Sequence, residues 1–220
     1  MKKLLFTVAA LASLTTFAAD IEGPFHRIEG EIGFPFKIQK ISENGKMPTK
    51  IWQKEVDLRI GYVPEWKYEI NEKVDLVFGP RITLGDKIVS QYEWNKPVEN
   101  IHGIVATVGG EMNFDFAIPN SDTKAFIGLG VTAGGHGYFD FNSSPKVLGG
   151  GHVVNVDLLV GAKLNDQIRL SVVLGYENSG IKTKNDTADK DNLGLKKDDA
   201  YNITHSFRPG IKFGYLLGGK

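Results

Sequence analysis

The sequence predicts an all-β chain, an eight-stranded antiparallel up-and-down transmembrane β-barrel with both termini on the same side. Three observations carry this. Apolar and polar residues alternate at period two through eight separate stretches, and helical periodicity is absent. The row opposite the apolar one mixes charges of both signs with glycine, unlike the Lys/Glu/Thr/Ser surface of a soluble sandwich. The connections alternate between short and long, as they do where one rim of a barrel faces inward and the other outward.

Residues 1–19 precede the fold. Lys2 and Lys3 form a cationic start, an apolar stretch follows, and Ala18 and Ala19 form a small-residue end. This reads as a secretory signal peptide, cleaved after Ala18 or Ala19, so that the barrel occupies 20–220 and leaves the cytoplasm. No later apolar run approaches the roughly 20 residues of a spanning helix. Without Lys2 and Lys3, 24 basic residues face 26 acidic ones, which gives no electrostatic footprint for nucleic acid. There is no cysteine, hence no disulfide and no lipid-bearing cysteine, so burial and hydrogen bonding must hold the fold.

The first strand, 27–38, sets Ile28, Ile32, Phe34, Phe36 and Ile38 against Arg27, Glu29, Glu31 and Gly33. The second, 55–62, sets Val56, Leu58, Ile60 and Tyr62 against Glu55, Asp57, Arg59 and Gly61. The third, 74–83, opposes Leu76, Phe78 and Ile82 to Asp75, Gly79 and Arg81. In the fourth, 104–118, Val108, Met112, Phe114 and Phe116 oppose Thr107, Gly109, Glu111, Asn113 and Asp115. The fifth, 125–138, alternates Ile127, Leu129 and Val131 with Gly128, Gly130 and Thr132. The sixth, 153–163, opposes Val154, Val156, Leu158 and Val160 to Asn155, Asp157 and Gly161. The seventh, 168–177, opposes Ile168, Leu170, Val172, Leu174 and Tyr176 to Arg169, Ser171, Gly175 and Glu177. The eighth, 206–215, alternates Phe207, Pro209, Ile211, Phe213 and Tyr215 with Arg208, Gly210, Lys212 and Gly214. Residues 63–73, 119–124 and 164–167 read as the compact connections, the other four as long polar loops, of which 182–202 is the most charged. Proline in a paired strand predicts a bulge or a local break of the ladder at Pro209.

Eight strands leave a lumen just wide enough for side chains. The charged row is therefore expected inside as an ion-pair plug: Arg27, Glu29, Glu31, Asp57, Arg59, Asp75, Arg81, Glu111, Asp115, Asp157, Arg169, Arg208 and Lys212, joined by Glu55. The apolar row then meets lipid, with aromatic girdles at Tyr62, Phe114, Phe116, Phe213 and Tyr215 below and Phe34, Phe36 and Tyr176 above.

This pattern resembles the small bacterial outer-membrane barrels of the OmpA/OmpX type. The octad at 208–215, with Arg208, Gly210, Phe213 and Tyr215 at its key positions, resembles the terminal signal read by the outer-membrane assembly machinery. Family members usually stop at the final aromatic, whereas this chain continues through 216–220. The resemblance implies a monomer in outer-membrane lipid with both termini periplasmic. It also implies loops exposed for surface interaction, adhesion to a host or cell-surface ligand, or envelope integrity.

Chemistry is sparse. His26, His102, His136, His152 and His205 have no metal-binding spacing, although His136 and His152 stand near the upper rim where they could approach one another. The segment 189–194 begins like a calcium loop but fails at Leu193 and Ala200. Glycine runs at 128–137 and 149–151 lack a P-loop lysine and a following helix. His205 and Ser206 are adjacent and so point to opposite faces of a strand. A non-enzymatic barrel with neither cofactor nor metal is expected. Its alternatives are a lipid-modifying enzyme, a narrow pore, and a soluble barrel holding an apolar ligand inside.

Overall fold

The computed structural model describes residues 21–41, 49–93, 96–140, 146–183 and 202–217. The expected signal peptide, the charged loop before Asn202 apart from its first residues, and the segment after Leu217 lie outside them. Every described element is a strand: β1 (Ile21–Gly33), β2 (Phe36–Ile41), β3 (Thr49–Asn71), β4 (Val74–Glu93), β5 (Lys96–Ala117), β6 (Thr123–Asp140), β7 (Lys146–Leu164), β8 (Ile168–Thr183) and β9 (Asn202–Leu217). Each pairs antiparallel with its neighbours, and β1 pairs with both β3 and β9, which closes the sheet on itself. β1 and β2 are one strand interrupted at Phe34 and Pro35, because β2 continues the same register on β3 and β9. The ring therefore has eight strands, and closure removes the sheet edge.

The break and the proline of the last strand face one another. Gly33 pairs with Gly210 and Phe36 with Phe207, and between them the Phe34 N–H donates to the Pro209 carbonyl at 2.8 Å. Neither Pro35 nor Pro209 has an N–H to offer the seam. Register runs unshifted along β8 and β9, with Leu174 opposite Pro209. The interruption expected at Pro209 is thus real, but it falls on the β1–β2 side and involves no bulge.

The strands are longer than the alternation suggested, and the expected connections shrink accordingly. What read as a compact connection at 63–73 is the continuation of β3 as far as Asn71, leaving a turn at 72–73 in which the Asn71 Oδ1 accepts the Lys73 N–H at 2.9 Å. Similarly, most of the region between Thr83 and Ile104 is strand, with β4 running to Glu93 and β5 starting at Lys96. Three of the long loops are thus largely hairpin arms of β2–β3, β4–β5 and β6–β7. The sequence blurred this because the strict apolar–polar alternation lapses along these arms. The turn between β7 and β8 holds Asn165 at φ 49° and Asp166 at φ 53°, with the Gln167 N–H donating to the Leu164 carbonyl at 3.0 Å. That is the primed hairpin geometry, which needs positive φ at both central residues and which Asn and Asp tolerate.

Of "LLGGK", the two leucines belong to β9. Leu216 is buried in the barrel, opposite Arg27, and its N–H donates to the Gln167 carbonyl at 2.8 Å.

Glycine lets this narrow ring curve. A Cβ on Gly109 would stand 1.9 Å from the Val131 carbonyl oxygen, and one on Gly134 2.0 Å from that of Ala106. Gly134→Ala should therefore lower the stability of the refolded barrel by about 1–3 kcal/mol in urea titrations. Gly110→Ala, whose Cβ meets only the Gly79 carbonyl oxygen at 3.7 Å, should leave the midpoint unchanged.

Candidate functional site

The barrel is inside out relative to a soluble protein. Arg81 is 1% exposed and Asp57 0%, whereas Ile60 is 66% and Ile211 62% exposed on the outer wall. Strand parity produces this: along β3, residues 55, 57, 59, 61, 63, 65 and 67 point inward and Leu58, Ile60 and Tyr62 outward.

Buried cations and carboxylates alternate along the lumen, those from Lys87 to Lys212 in one connected chain and those nearer the turns in separate pairs. At the loop end, Lys87 bonds Glu177 and stands 3.3 Å from Glu55. Arg59 reaches Glu177 at 3.2 Å and grips Asp57 with two donors, one of them at 2.9 Å. Midway, Arg208 bonds Glu31 and, at 2.7 Å, Asp157, with Asp57 3.7 Å away. Arg81 bonds Glu29, then Glu31 at 2.7 Å and Asp157 at 3.3 Å. Toward the turn end, Arg27 holds Glu111 at 2.6 Å and Glu65 at 2.8 Å, and Lys212 holds Glu111 at 2.6 Å. Arg169 meets Asp115 at 2.7 Å, its guanidinium lying 4.8 Å over the Phe126 ring. At the turn-side mouth, Lys124 bonds Asp75 at 2.9 Å and Lys163 meets Asp166 at 3.1 Å.

The thirteen charged residues singled out in the sequence all lie buried in this lumen. The network also contains Glu65, Lys87 and Glu177, and its mouth Lys124 and Lys163. Glu65 and Lys87 were hidden because their segments read as connections. Extending the parity of Asp57–Arg59 to Glu65, and that of Asp75–Arg81 to Lys87, would have placed both inward. Less visible still are two apolar layers inside the barrel. Val89, Ile101, Tyr138, Leu148 and Ile181 cluster at the loop end, and Phe126, Leu159 and Val173 toward the turn end. The bulk of the network is held between them.

The histidines do not gather. His136 points inward, its Nε2 3.0 Å from the Gly180 carbonyl oxygen and its ring edge-on to Tyr138. His152 lies on the other face, 2.9 Å from the Asn178 Oδ1, so the two stand as separate rim residues and do not approach one another. Adjacent strands pair Gly135 with His152, which places His136 on the opposite side of the sheet. His205 sits outside against Tyr176 at 2.5 Å while Ser206 is buried inside, as neighbours on a strand must be. Among the described residues, no cluster of three or more metal-ligating side chains occurs.

Removing one partner from a buried ion network leaves an uncompensated charge, which costs about 3–5 kcal/mol. Arg208→Met should show that loss in urea unfolding from lipid vesicles, with Arg208→Lys recovering part of it. At the mouth, burial pushes the Asp166 carboxyl up, but Lys163 and Lys124 outweigh it and hold the group below the ordinary carboxylate range. Its contribution is therefore present above that range and lost as pH falls through the depressed value. Asp166→Asn should lower stability slightly at neutral pH, where the pairing with Lys163 and Lys124 is intact, and converge with wild type at acid pH, so that the acid side of the stability–pH curve flattens.

No protein-family model matches the sequence, and no curated protein does. Among solved structures the chain is similar to neisserial surface protein A, at 13% identity and a TM-score of 0.44, over 87% of this chain and 97% of that one. It is similar to the N-terminal β-barrel domain of OprF from Pseudomonas aeruginosa, at 10% identity and 0.36, over 89% and 100%. It is also similar to Ail, the attachment invasion locus protein of Yersinia pestis, in complex with the heparin analogue sucrose octasulfate, at 12% identity and 0.33, over 88% and 99%. The ring closed by the β1–β9 pairing and the inverted faces are this chain's own evidence for the architecture of a small eight-stranded outer-membrane barrel.

Proposed function

We propose that this chain is exported by its first 19 residues and resides in a bacterial outer membrane as a non-enzymatic, non-conducting barrel. In this reading it presents the hairpin arms and loops of one rim to surface ligands. The observation that supports the membrane reading is an apolar outer band bracketed by polar side chains. On β4 the outward row runs Leu76, Phe78, Pro80, Ile82, Leu84 and then reaches Asp86, which meets His102 of β5 at 2.8 Å. On β8 it runs from Ile168 to Tyr176 and then reaches Asn178, bonded to His152 and His205. Leu76 to Leu84 covers ~26 Å along the strand at ~3.3 Å per residue. At a tilt of ~40° that is ~20 Å of height, close to the lipid-facing band of ~25 Å on barrels of this kind.

Of the aromatic residues expected in the two girdles, Phe34, Phe36, Tyr62, Phe116, Tyr176, Phe213 and Tyr215 are exposed on that wall and Phe114 is half-buried, and Phe207 is exposed there as well. The sealed lumen supports a role at the surface over one in transport. Ion pairs fill its width, and the apolar layers would have to part before water could pass. Assembly would read Arg208, Gly210, Phe213 and Tyr215, and the mature barrel would act as a monomer with both termini periplasmic and no cofactor.

One observation favours an acyl-hydrolase reading as an alternative, since the Asp86–His102 pair is a base–carboxylate couple at the edge of the apolar band. Expressed in a Gram-negative host, the protein should fractionate with the outer membrane and run faster in detergent gels unheated than boiled. In planar bilayers it should show no steps of conductance, and in lipid A and phospholipid micelles it should release no fatty acid. Recovery in the soluble periplasmic fraction would overturn the membrane reading, and fatty acid release lost in His102→Ala would establish the enzyme.

A further inference from the structure

A sizeable concavity lies not in the lumen but on the apolar outer wall. It is a groove of about 780 Å³ crossing β9, β1, β3 and β4, floored by backbone at Gly30 and walled by Ile32, Leu58, Ile60, Ile211 and Phe213. Gly30 creates it. The outward row of β1 reads His26, Ile28, Gly30, Ile32, Phe34, and the single missing side chain opens a notch in which an added Cβ would meet no atom within 4 Å. On either side, Gly30 pairs with Ile60 and Phe213, whose side chains form the banks.

We propose that this groove holds one acyl chain of a glycerophospholipid from the turn-side leaflet, with His26 and Tyr62 receiving its headgroup. The inference rests on the membrane reading above. Three features select the occupant. The groove lies wholly inside the apolar band, so whatever fills it lives in hydrocarbon. It is one residue wide at its floor, which suits a hydrocarbon chain and not a helix of about 10 Å diameter. A second barrel would present a convex wall of its own and leave the notch unfilled. At the turn-side end of the same row, beyond Ile28, the exposed His26 ring stacks on Tyr62 with centroids 5.9 Å apart, and its Nδ1 meets the Tyr62 hydroxyl at 2.7 Å. That bond leaves Nε2 as the ring's second hydrogen-bonding atom, suited to a phosphate oxygen. Branched aliphatic walls give the chain continuous dispersion contact, and a fixed notch spares it part of the ordering cost met in fluid lipid.

The test is native mass spectrometry of the refolded barrel in detergent, titrated with dioleoyl phosphatidylglycerol and, separately, with oleate. Wild type should retain one phosphatidylglycerol through gas-phase activation. Gly30→Leu fills the notch with no clash and raises strand propensity, so it should fold and retain neither probe. His26→Ala should weaken phosphatidylglycerol retention about tenfold, the scale of one charge-assisted hydrogen bond, and leave oleate untouched. Equal retention by wild type and Gly30→Leu would overturn the proposal, as would a wild-type dimer that Gly30→Leu dissolves. Heat-modifiable mobility run on the same samples reports the membrane barrel separately, so a barrel that shifts normally yet binds no lipid refutes the groove alone.

Discussion

The structure depends on one constraint: charges enclosed in a ring of eight strands must find partners inside it, because neither lipid nor bulk water can serve them. The buried row carries arginines and lysines from β1, β3, β4, β7, β8 and β9, and carboxylates from β1, β3, β4, β5, β7 and β8. Few of them pair with a neighbour along the chain. Arg208 bridges Glu31 and Asp157, and Arg81 joins Glu29, Glu31 and Asp157, so each guanidinium ties together strands that are not adjacent in the sheet. A register slip of one residue on any strand would turn its charges toward the outer wall and its aliphatics inward. In lipid each misplaced arginine or lysine costs about 2–4 kcal/mol near the midplane. The network therefore contributes specificity of pairing more than net stabilisation, since a buried ion pair roughly breaks even against an apolar substitute.

The apolar layers follow from that constraint. Electrostatic attraction inside a protein strengthens as water is excluded. Val89, Ile101, Tyr138, Leu148 and Ile181 close the loop end, and Phe126, Leu159 and Val173 lie toward the other. They keep water from competing for the donors of Arg59, Arg81 and Arg208. A lumen organised this way has little freedom to bind or pass anything. Variation that carries function is displaced to the rims and to the outer wall, where the fold tolerates change.

The ring, the strand order and the orientation of both faces were legible because period-two patterning is a local signal repeated eight times. The apolar residues of the lumen were not, since Leu159 or Val173 looks in sequence like one more member of an aliphatic run, and only the parity of its neighbours turns it inward. The hairpin arms were misread for the opposite reason. Residues 39–54 mix charged, amide and apolar side chains without alternation and read as loop, yet Phe36–Ile41 pairs with Thr49–Lys54 without a slip. Loop and paired arm differ there in partners, and partners are a tertiary property. The two histidines at the upper rim stay apart because proximity along a ladder does not decide which side of the sheet each faces.

The closing strand shows how far one stretch can be constrained at once. Arg208 is fully buried at the middle of the network, and Gly210 brings β9 against β1, where a Cβ would stand 2.6 Å from the Ile32 carbonyl oxygen. Phe213 banks the outer groove, and Tyr215 stands across from Ile28 on one side and Ile168 on the other. These four residues are also the ones in which the sequence resembles an assembly signal. The barrel needs each of them to close: a charge inside, a glycine at the seam and aromatics outside. A machine that selected for that combination would be selecting strands already able to complete a ring, with no feature held back for recognition alone.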